Sequence, residues 1–338
     1  MFDVNYDFFG VENNFKEIER LKSEKLQGDI PSKLPLISIV IPTYKRASTL
    51  RETLNSAIYQ EGNHNYEIVV VDNNPERGDE TEMMMVEYAS VNNLLYFKNI
   101  ENVGMPSNWN RCVELANGEW ITLIHDDDLL VNNYLNEIEP CLLDCVDGLF
   151  VRPKVFIDGQ TLPVLNNSPK MELMKVTLMH QYLFPILCAS GNTLRKSKIL
   201  EYGGYTNKTG VAPDFFFSKM TYYGDVYITN KSLIYYRKGL NESLNIETMD
   251  KLNYMNHYFR LQNYQRIGIP LFLIDVIVPY SDILFERGFQ KEWNKEYRYS
   301  HMKKYKKFDV FISGIIYRIV EMVIKVIRRV NRKIIVIE

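Results

Sequence analysis

The sequence predicts an α/β protein with a mostly parallel central sheet flanked by helices, on three observations. The apolar runs at residues 36–41, 67–71 and 120–124 are continuous rather than alternating, which marks strands covered on both faces. Segments of helical spacing separate them, as βαβ units require. Each run also ends in a polar cluster, and sheets of this kind bind their ligands beyond the carboxyl ends of the strands.

The elements follow in order. Residues 1–35 read as an N-terminal extension carrying a helix over about residues 14–27, closed by the breakers Gly28 and Pro31. A strand at 36–41 stops at Pro42, and Leu50, Leu54, Ala57 and Ile58 set a helix over 47–60. A second strand, 67–71, runs into Asp72-Asn73-Asn74-Pro75. A helix over 80–89 and a strand near 94–97 come next, then a helix over 106–116 with Pro106 suited to its first turn. The strand at 120–124 leads into Asp126, Asp127 and Asp128. A helix is expected over 215–223. Residues 250–307 are helical and aromatic in pattern, including Tyr254, Phe259, Tyr264 and Phe285, a pattern of core packing.

Composition narrows the function classes. The 338 residues are 46% hydrophobic, 13% aromatic and 24% charged, ordinary values for a folded chain of one large or two modest domains. No basic n-region or apolar h-region opens the chain, and the four cysteines form no CxxC pair or zinc spacing. A reduced cytoplasmic setting is therefore expected. The net charge of −2 conceals a basic tail: residues 301–338 hold ten Lys/Arg against three Asp/Glu. The first strand lacks a glycine-rich dinucleotide turn and no GxxxxGK[ST] loop exists, which argues against NAD-dependent hydride transfer and P-loop phosphoryl transfer. With no recognition motif and an acidic body, nucleic acid is not an expected partner.

Three adjacent carboxylates at a strand end repel one another, and a divalent cation holding a polyphosphate would relieve them. The alternative is a solvated turn whose acids begin the next helix. The strand ends together offer an aromatic face, amide donors and acceptors, cations and an acid cluster, the inventory for a nucleoside diphosphate.

These residues resemble the GT-A-fold glycosyltransferases of family 2. The likeness runs over about residues 36–240: Ile39-Val-Ile-Pro-Thr-Tyr-Lys-Arg46, Val70-Val-Asp-Asn-Asn74, Asn102-Val-Gly104 with Asn110, Gly118-Glu119-Trp120 leading to the aspartates, Gly191-Asn-Thr-Leu-Arg195, Tyr202-Gly-Gly-Tyr205, Pro213-Asp214 and Ile234-Tyr-Tyr-Arg237. It implies a GT-A domain over 36–245, a helical region over 246–307, and an inverting single displacement from a nucleotide sugar, UDP-sugars favoured, assisted by Mn2+ or Mg2+.

The resemblance also implies roles. Pro42, Tyr44, Arg46, Asp72, Asn73, Asn102, Gly104, Asn110, Asp126 and Arg237 are candidates for donor binding, with Tyr44 on the base and Asp72 and Asn73 on the base edge and ribose. Asp127 and Asp128 are the metal candidates. Aligned on Leu129, the family's Asp-x-Asp falls on His125 and Asp127, whereas the other register uses Asp126 and Asp128; here His125 is expected to serve a ribose hydroxyl. Asp214 occupies the catalytic-base position, and the phenylalanines after it limit water around the carboxylate. An N-cap on the 215–223 helix is the other reading of Asp214. The acceptor is expected to be a lipid-linked glycan or polysaccharide of the O-antigen or capsule kind, in a bacterium.

Residues 308–338 form the last expected element. Ile315, Ile316, Ile319, Val320, Val323, Val326, Ile327 and Val330 fill one helical face, with Arg318, Glu321, Lys325, Arg328, Arg329 and Arg332 opposite. The uncharged run 310–317 is far shorter than the ~20 residues of a bilayer span. A basic amphipathic helix over 308–333 predicts peripheral contact with the inner face of the cytoplasmic membrane, the alternative being a terminal helix docked on its own protein or on a dimer partner. Two other functions keep the same fold: a nucleotidyltransferase, which usually carries a glycine-rich basic loop after the first strand, and a non-catalytic nucleotide-sugar-binding scaffold.

Overall fold

The computed structural model describes residues 3–166, 168–183, 189–208, 215–239, 245–292 and 305–337. The chain forms two units. One comprises Val11–Val176, Cys188–Lys238 and Ile334–Glu338; the other comprises Met1–Gly10, Thr177–Leu187 and Gly239–Lys333.

The first unit is a sheet with helices packed against it. Its elements are β1 (Ser23–Gln27), β2 (Ile37–Thr43), α1 (Ala47–Ile58), β3 (Tyr66–Asp72), α2 (Glu80–Met85), β4 (Leu94–Asn99), α3 (Met105–Leu115), β5 (Trp120–Leu123), β6 (Leu129–Leu130), α4 (Tyr134–Ile138), β7 (Gly148–Ile157) and β8 (Met171–Lys175). After α5 (Leu178–Leu183), which belongs to the other unit, come β9 (Asn192–Arg195), α6 (Lys196–Glu201), α7 (Phe215–Tyr223) and β10 (Val226–Lys238). The last strand, β11, is Ile334–Ile337.

Strand order is β1-β4-β3-β2-β5-β9-β7-β10-β8-β11, and β6 pairs with β10. β4, β3, β2 and β5 are mutually parallel, as their unbroken apolar sequences require, whereas β9 lies antiparallel to both β5 and β7. The sheet is therefore mixed: β4-β3-β2-β5 form one parallel part, and β7 and β10 pair in parallel beyond β9. Every residue of β2 is buried, Pro42 and Thr43 included, so the strand runs past the proline that the sequence suggested would stop it. β3 is equally apolar, and Ile39, Ile41, Ile68 and Val70 share a core with Leu50, Leu54 and Ala57 of α1. Each of these Ile, Val and Leu side chains contributes about 1.5–3 kcal/mol on leaving water.

The helix expected over residues 14–27 does not form. A 3-10 turn, Asn14–Ile18, is capped by Asn13, and Ser23–Gln27 is instead β1, antiparallel to β4 with Ser23 opposite Asn99. Pairing along the sheet edge overrides a local helical preference worth only tenths of a kcal/mol, about 0–0.7 per residue.

The second unit is helical: α5, α8 (Ile246–Arg266), α9 (Leu271–Glu292) and α10 (Lys307–Val330). Its core gathers Tyr182, Tyr264, Ile274, Ile277, Val278, Tyr317 and Ile324, and Phe259 packs edge-on to Phe8 and stacks on Phe9. Phe272, which falls in the aromatic 250–307 stretch whose pattern predicts core packing, is instead exposed. Pro279 interrupts the ladder within α9, and the neighbouring Tyr280 N–H donates to Ser313 Oγ on α10. Gly314 permits that approach, since a Cβ there would lie 3.0 Å from the Tyr280 ring. The terminal helix ends at Val330, and the residues beyond it supply β11, which pairs with β8.

Candidate functional site

The site lies at the carboxyl ends of β2 and β5. Ile124 continues from β5, its N–H donating to Val40 O at 3.1 Å, and the chain then turns, with Asp128 N–H donating to His125 O at 3.2 Å. β6 fixes the far side of this turn by pairing Leu129 and Leu130 with Tyr235 and Ile234 of β10. Three carboxylates are thus held in a buried turn between two strands.

Each is held differently. Asp126 accepts from Thr43 Oγ at 2.8 Å and lies 3.7 Å from Arg46 Nη1; burial raises its pKa to about 7, with Arg46 opposing. Asp127 accepts from the same Arg46 Nη1 at 2.7 Å. Asp128 is fully buried, with Oδ1 accepting the Arg237 N–H at 2.8 Å and Oδ2 lacking any hydrogen-bond partner. Burial first, then the neighbouring Asp127, push its pKa well above the usual carboxylate range. His125 lies beside Trp109, its Nδ1 3.5 Å from Asp128 Oδ2, and its Nε2 is also buried without a partner. Burial pushes its pKa down, so the imidazole is neutral and able to donate a lone pair.

His125, Asp127 and Asp128 each present a ligand atom within 4.8 Å of the others. A buried carboxylate oxygen and a buried imidazole nitrogen, both unpartnered, fit a divalent cation. The sequence identified Asp127 and Asp128 but gave His125 a ribose role. The signal for a ligand was its position at the first aspartate of Asp-x-Asp.

The remaining candidates divide. Tyr44 is 43% exposed at the rim, beside Lys45, whose φ of 55° is left-handed at a cost of about 1 kcal/mol. Gly104, with φ 78°, is exposed at the start of α3. Pro42 is buried within β2.

Asp72 and Asn73 are directed inward. Asp72 Oδ2 accepts from Lys98 Nζ at 2.7 Å and Tyr96 OH at 3.1 Å, and Oδ1 accepts from Asn74 N–H at 2.9 Å. Asn73 donates to Asn102 Oδ1 at 2.8 Å and accepts from Asn99 Nδ2 and Val103 N–H, both at 3.1 Å, so Asn73 and Asn102 shape the loop between β4 and α3. Asn110 is wholly buried and makes a two-way bond with the Tyr205 backbone, donating to its O at 2.7 Å and accepting from its N–H at 2.8 Å.

Arg237 is likewise committed within the protein. Nε donates to Asp127 O at 2.7 Å, Nη2 to Glu52 at 2.7 Å and Nη1 to Asp158, with the guanidinium 4.8 Å over Phe156. These bonds position the acid turn instead of reaching a ligand. Thr53 on α1, donating to Asp128 O at 2.8 Å, is a third anchor that the sequence did not point to, as is Lys98 for Asp72. Asp214 lies outside the described residues, as does the 241–243 loop, for which the resemblance implies closure over the donor phosphates or acceptor; Phe215, Phe216 and Phe217, which open α7, are buried.

Residues 38–202 match a family model described as glycosyl transferase family 2. The abequosyltransferase RfbV of Salmonella typhimurium is 39% identical over 102 residues, 30% of this chain and 30% of its own. An uncharacterized glycosyltransferase of Rickettsia prowazekii is 29% identical over 225 residues, covering 62% of this chain and 68% of that one. The chain spans between 14% and 36% of the length of the first curated relatives it matches. Among solved structures, S. aureus TarS 1-349 in complex with UDP-GlcNAc superposes with a TM-score of 0.53 at 19% identity, over 77% of this chain and 74% of that one. That likeness concerns the fold.

Proposed function

The chain belongs to glycosyl transferase family 2 through residues 38–202, and on that premise we propose that it transfers a sugar from a nucleotide-sugar donor to an acceptor hydroxyl. The observation that carries this reading is the buried His125, Asp127 and Asp128 group at the end of β5, with two polar atoms lacking partners. Such a group would suit a divalent cation beside a diphosphate. A mixed nitrogen and oxygen donor set favours Mn2+ over the harder Mg2+. When bound, the cation neutralises charge that develops on the departing nucleoside diphosphate.

The chain's own residues supply the rest. Asp127 and Asp128, with His125, would hold the metal, and Arg46, paired with Asp127 at the rim, is placed to bind donor phosphate. Tyr44, exposed beside them, offers a ring face to the base. Asp214 takes the proton from the acceptor hydroxyl as it attacks, giving an inverting single displacement with no covalent intermediate.

A UDP-sugar is the favoured donor, in keeping with the UDP-GlcNAc complex of TarS. The acceptor is a lipid-linked glycan or polysaccharide, in keeping with a sugar transferase such as RfbV among the relatives. The working position is the inner face of the cytoplasmic membrane, held peripherally through residues 308–333; among the described residues no helix is long and apolar enough to cross a membrane.

The test is a thermal-shift series with UDP, GDP, CMP and their sugars, with and without Mn2+. Manganese-dependent stabilisation by one nucleoside diphosphate and its sugars supports the reading, because a ligand of the folded state raises the melting temperature by mass action. With that donor, Asp214→Asn keeps binding and lowers transfer by about 10²–10⁴-fold. Transfer by Asp214→Asn at the parent rate removes the catalytic assignment.

A further inference from the structure

Helix α10 has two apolar faces, only one of which is used within its unit. Ser313, Gly314, Tyr317 and Ile324 are buried and form the docked face. On the opposite side, Phe308, Phe311, Met322, Val326 and Val330 are each 60% or more exposed, and Ile315, Ile319 and Val323 are exposed among them. At 100° per residue these exposed side chains fall within an arc of about 120°, centred opposite Tyr317. The apolar strip is continuous over the length of the helix, six turns or so. Scattered exposed apolar residues are ordinary, but a strip of this length is not.

One border of the strip is strongly cationic. Lys307, Arg318, Lys325 and Arg329 are exposed and project within about 40° of one edge of the strip, with Glu321, bonded to Lys325 at 2.7 Å, behind them; Asp309 in the first turn is the exposed acid near the other edge, and Arg332 follows just past the end of the helix. A helix with an apolar face and long cationic side chains along its edge fits a surface that is apolar below and anionic above. The stems of Lys and Arg reach along such a boundary and keep their charges at the headgroups.

We infer that the exposed face of α10 lies flat on an anionic phospholipid bilayer, with Phe308, Phe311, Ile315, Ile319, Val326 and Val330 entering the acyl boundary and the four cations along its edge contacting phosphate headgroups. This rests on the peripheral-membrane part of the proposed function and assigns it a face, an orientation and a lipid class. The orientation leaves Tyr317 on its present partners, so docking on the protein and seating on lipid are compatible. A second copy of the chain is a poorer occupant, since it would bring two cationic edges onto the rim of one contact.

The experiment is vesicle flotation of the full chain. One set of vesicles is phosphatidylcholine alone, and the other is about three parts phosphatidylcholine to one part phosphatidylglycerol. The parent chain is expected to float with the anionic vesicles, at least tenfold more tightly than with neutral ones, and to be released by salt. Ile319→Asp with Val326→Asp is expected to lose flotation with an unchanged melting temperature. Arg318→Gln with Arg329→Gln is expected to lose the preference for anionic lipid. A Phe311→Trp chain is expected to show blue-shifted fluorescence on the anionic vesicles.

Absence of flotation with either vesicle overturns the inference, as does flotation that survives both aspartates. Equal flotation with the two vesicles overturns the lipid class. If the aspartate pair converts a dimer to a monomer and no vesicle binds, the strip belongs to a second copy and the inference falls. Nucleotide thermal shifts on the same samples separate the two readings: flotation without nucleotide stabilisation removes the transferase, and the converse removes only the lipid surface.

Discussion

Lys98 Nζ lies 2.7 Å from Asp72 Oδ2 and 3.1 Å from Asp79 Oδ1, and the Lys98 and Asp72 side chains are sealed from solvent. Burial raises the pKa of Asp72 while Lys98 opposes the rise. The ammonium therefore neutralises the carboxylate at the end of β3 that the sequence offered to the nucleobase. Replacing Lys98 by Met strands a buried charge and is expected to cost about 3–5 kcal/mol in urea denaturation. Adding Asp72→Asn to Lys98→Met is expected to restore part of the loss. If Asp72→Asn instead changes nucleotide preference at parental stability, the carboxylate reads the base after all.

Asp128 presents the reverse situation, a buried carboxylate with one oxygen unpartnered. In metal-free protein, Asp128→Asn removes charge repulsion from Asp127 and is expected to melt at or above the parent. It is also expected to lose the stabilisation that Mn2+ confers on the parent. Melting curves with EDTA and with Mn2+ check both halves, and a manganese shift retained by Asp128→Asn excludes it as a ligand.

Arg237 bonds Glu52, Asp158 and the Asp127 carbonyl from one guanidinium. A lysine cannot reproduce that fork, so Arg237→Lys is expected to cost about 2–3 kcal/mol, with screening at the two exposed acids taken into account. Because the same side chain sets the Asp127 backbone, Mn2+ affinity is expected to weaken about tenfold, roughly 1.4 kcal/mol. Unchanged stability with a raised donor KM would return Arg237 to the ligand.

His180 supplies the pH dependence. Burial lowers its pKa to about 4, assisted by the nearby Arg328, and Nδ1 accepts the Thr177 N–H at 3.1 Å. Between its ordinary value of about 6.5 and that lowered value, the unfolded chain takes up a proton that the folded chain refuses. Stability therefore falls on acidification across this window, by about 1–2 kcal/mol after allowing for partial exposure. The slope of denaturation midpoint against pH is expected to flatten in His180→Gln.

The parts legible in the sequence are those decided locally. The unbroken apolar residues of β2, β3 and β5 require two covered faces, and the acid turn follows from where β5 ends. What the sequence concealed depends on register. Lys98 faces Asp72 only because β3 and β4 pair Asp72 with Lys98, 26 residues away. β1 is a strand because β4 offers an edge, not because Ser23–Gln27 prefers to be extended. Periodicity found α10 but could not say which face docks; Gly314 beside Tyr280 decides that.

The acid turn is gripped from three directions: Thr53 on α1 holds the Asp128 carbonyl, Arg46 beyond β2 holds the Asp127 carboxylate, and Arg237 on β10 holds both residues. Its shape is therefore present before a cation or nucleotide arrives. The amide hydrogens of Ile124, Asp128 and Arg237 should exchange slowly with solvent deuterium in ligand-free protein, and Mn2+ should leave that protection almost unaltered. Loading the site then redistributes charge along a path the backbone already follows.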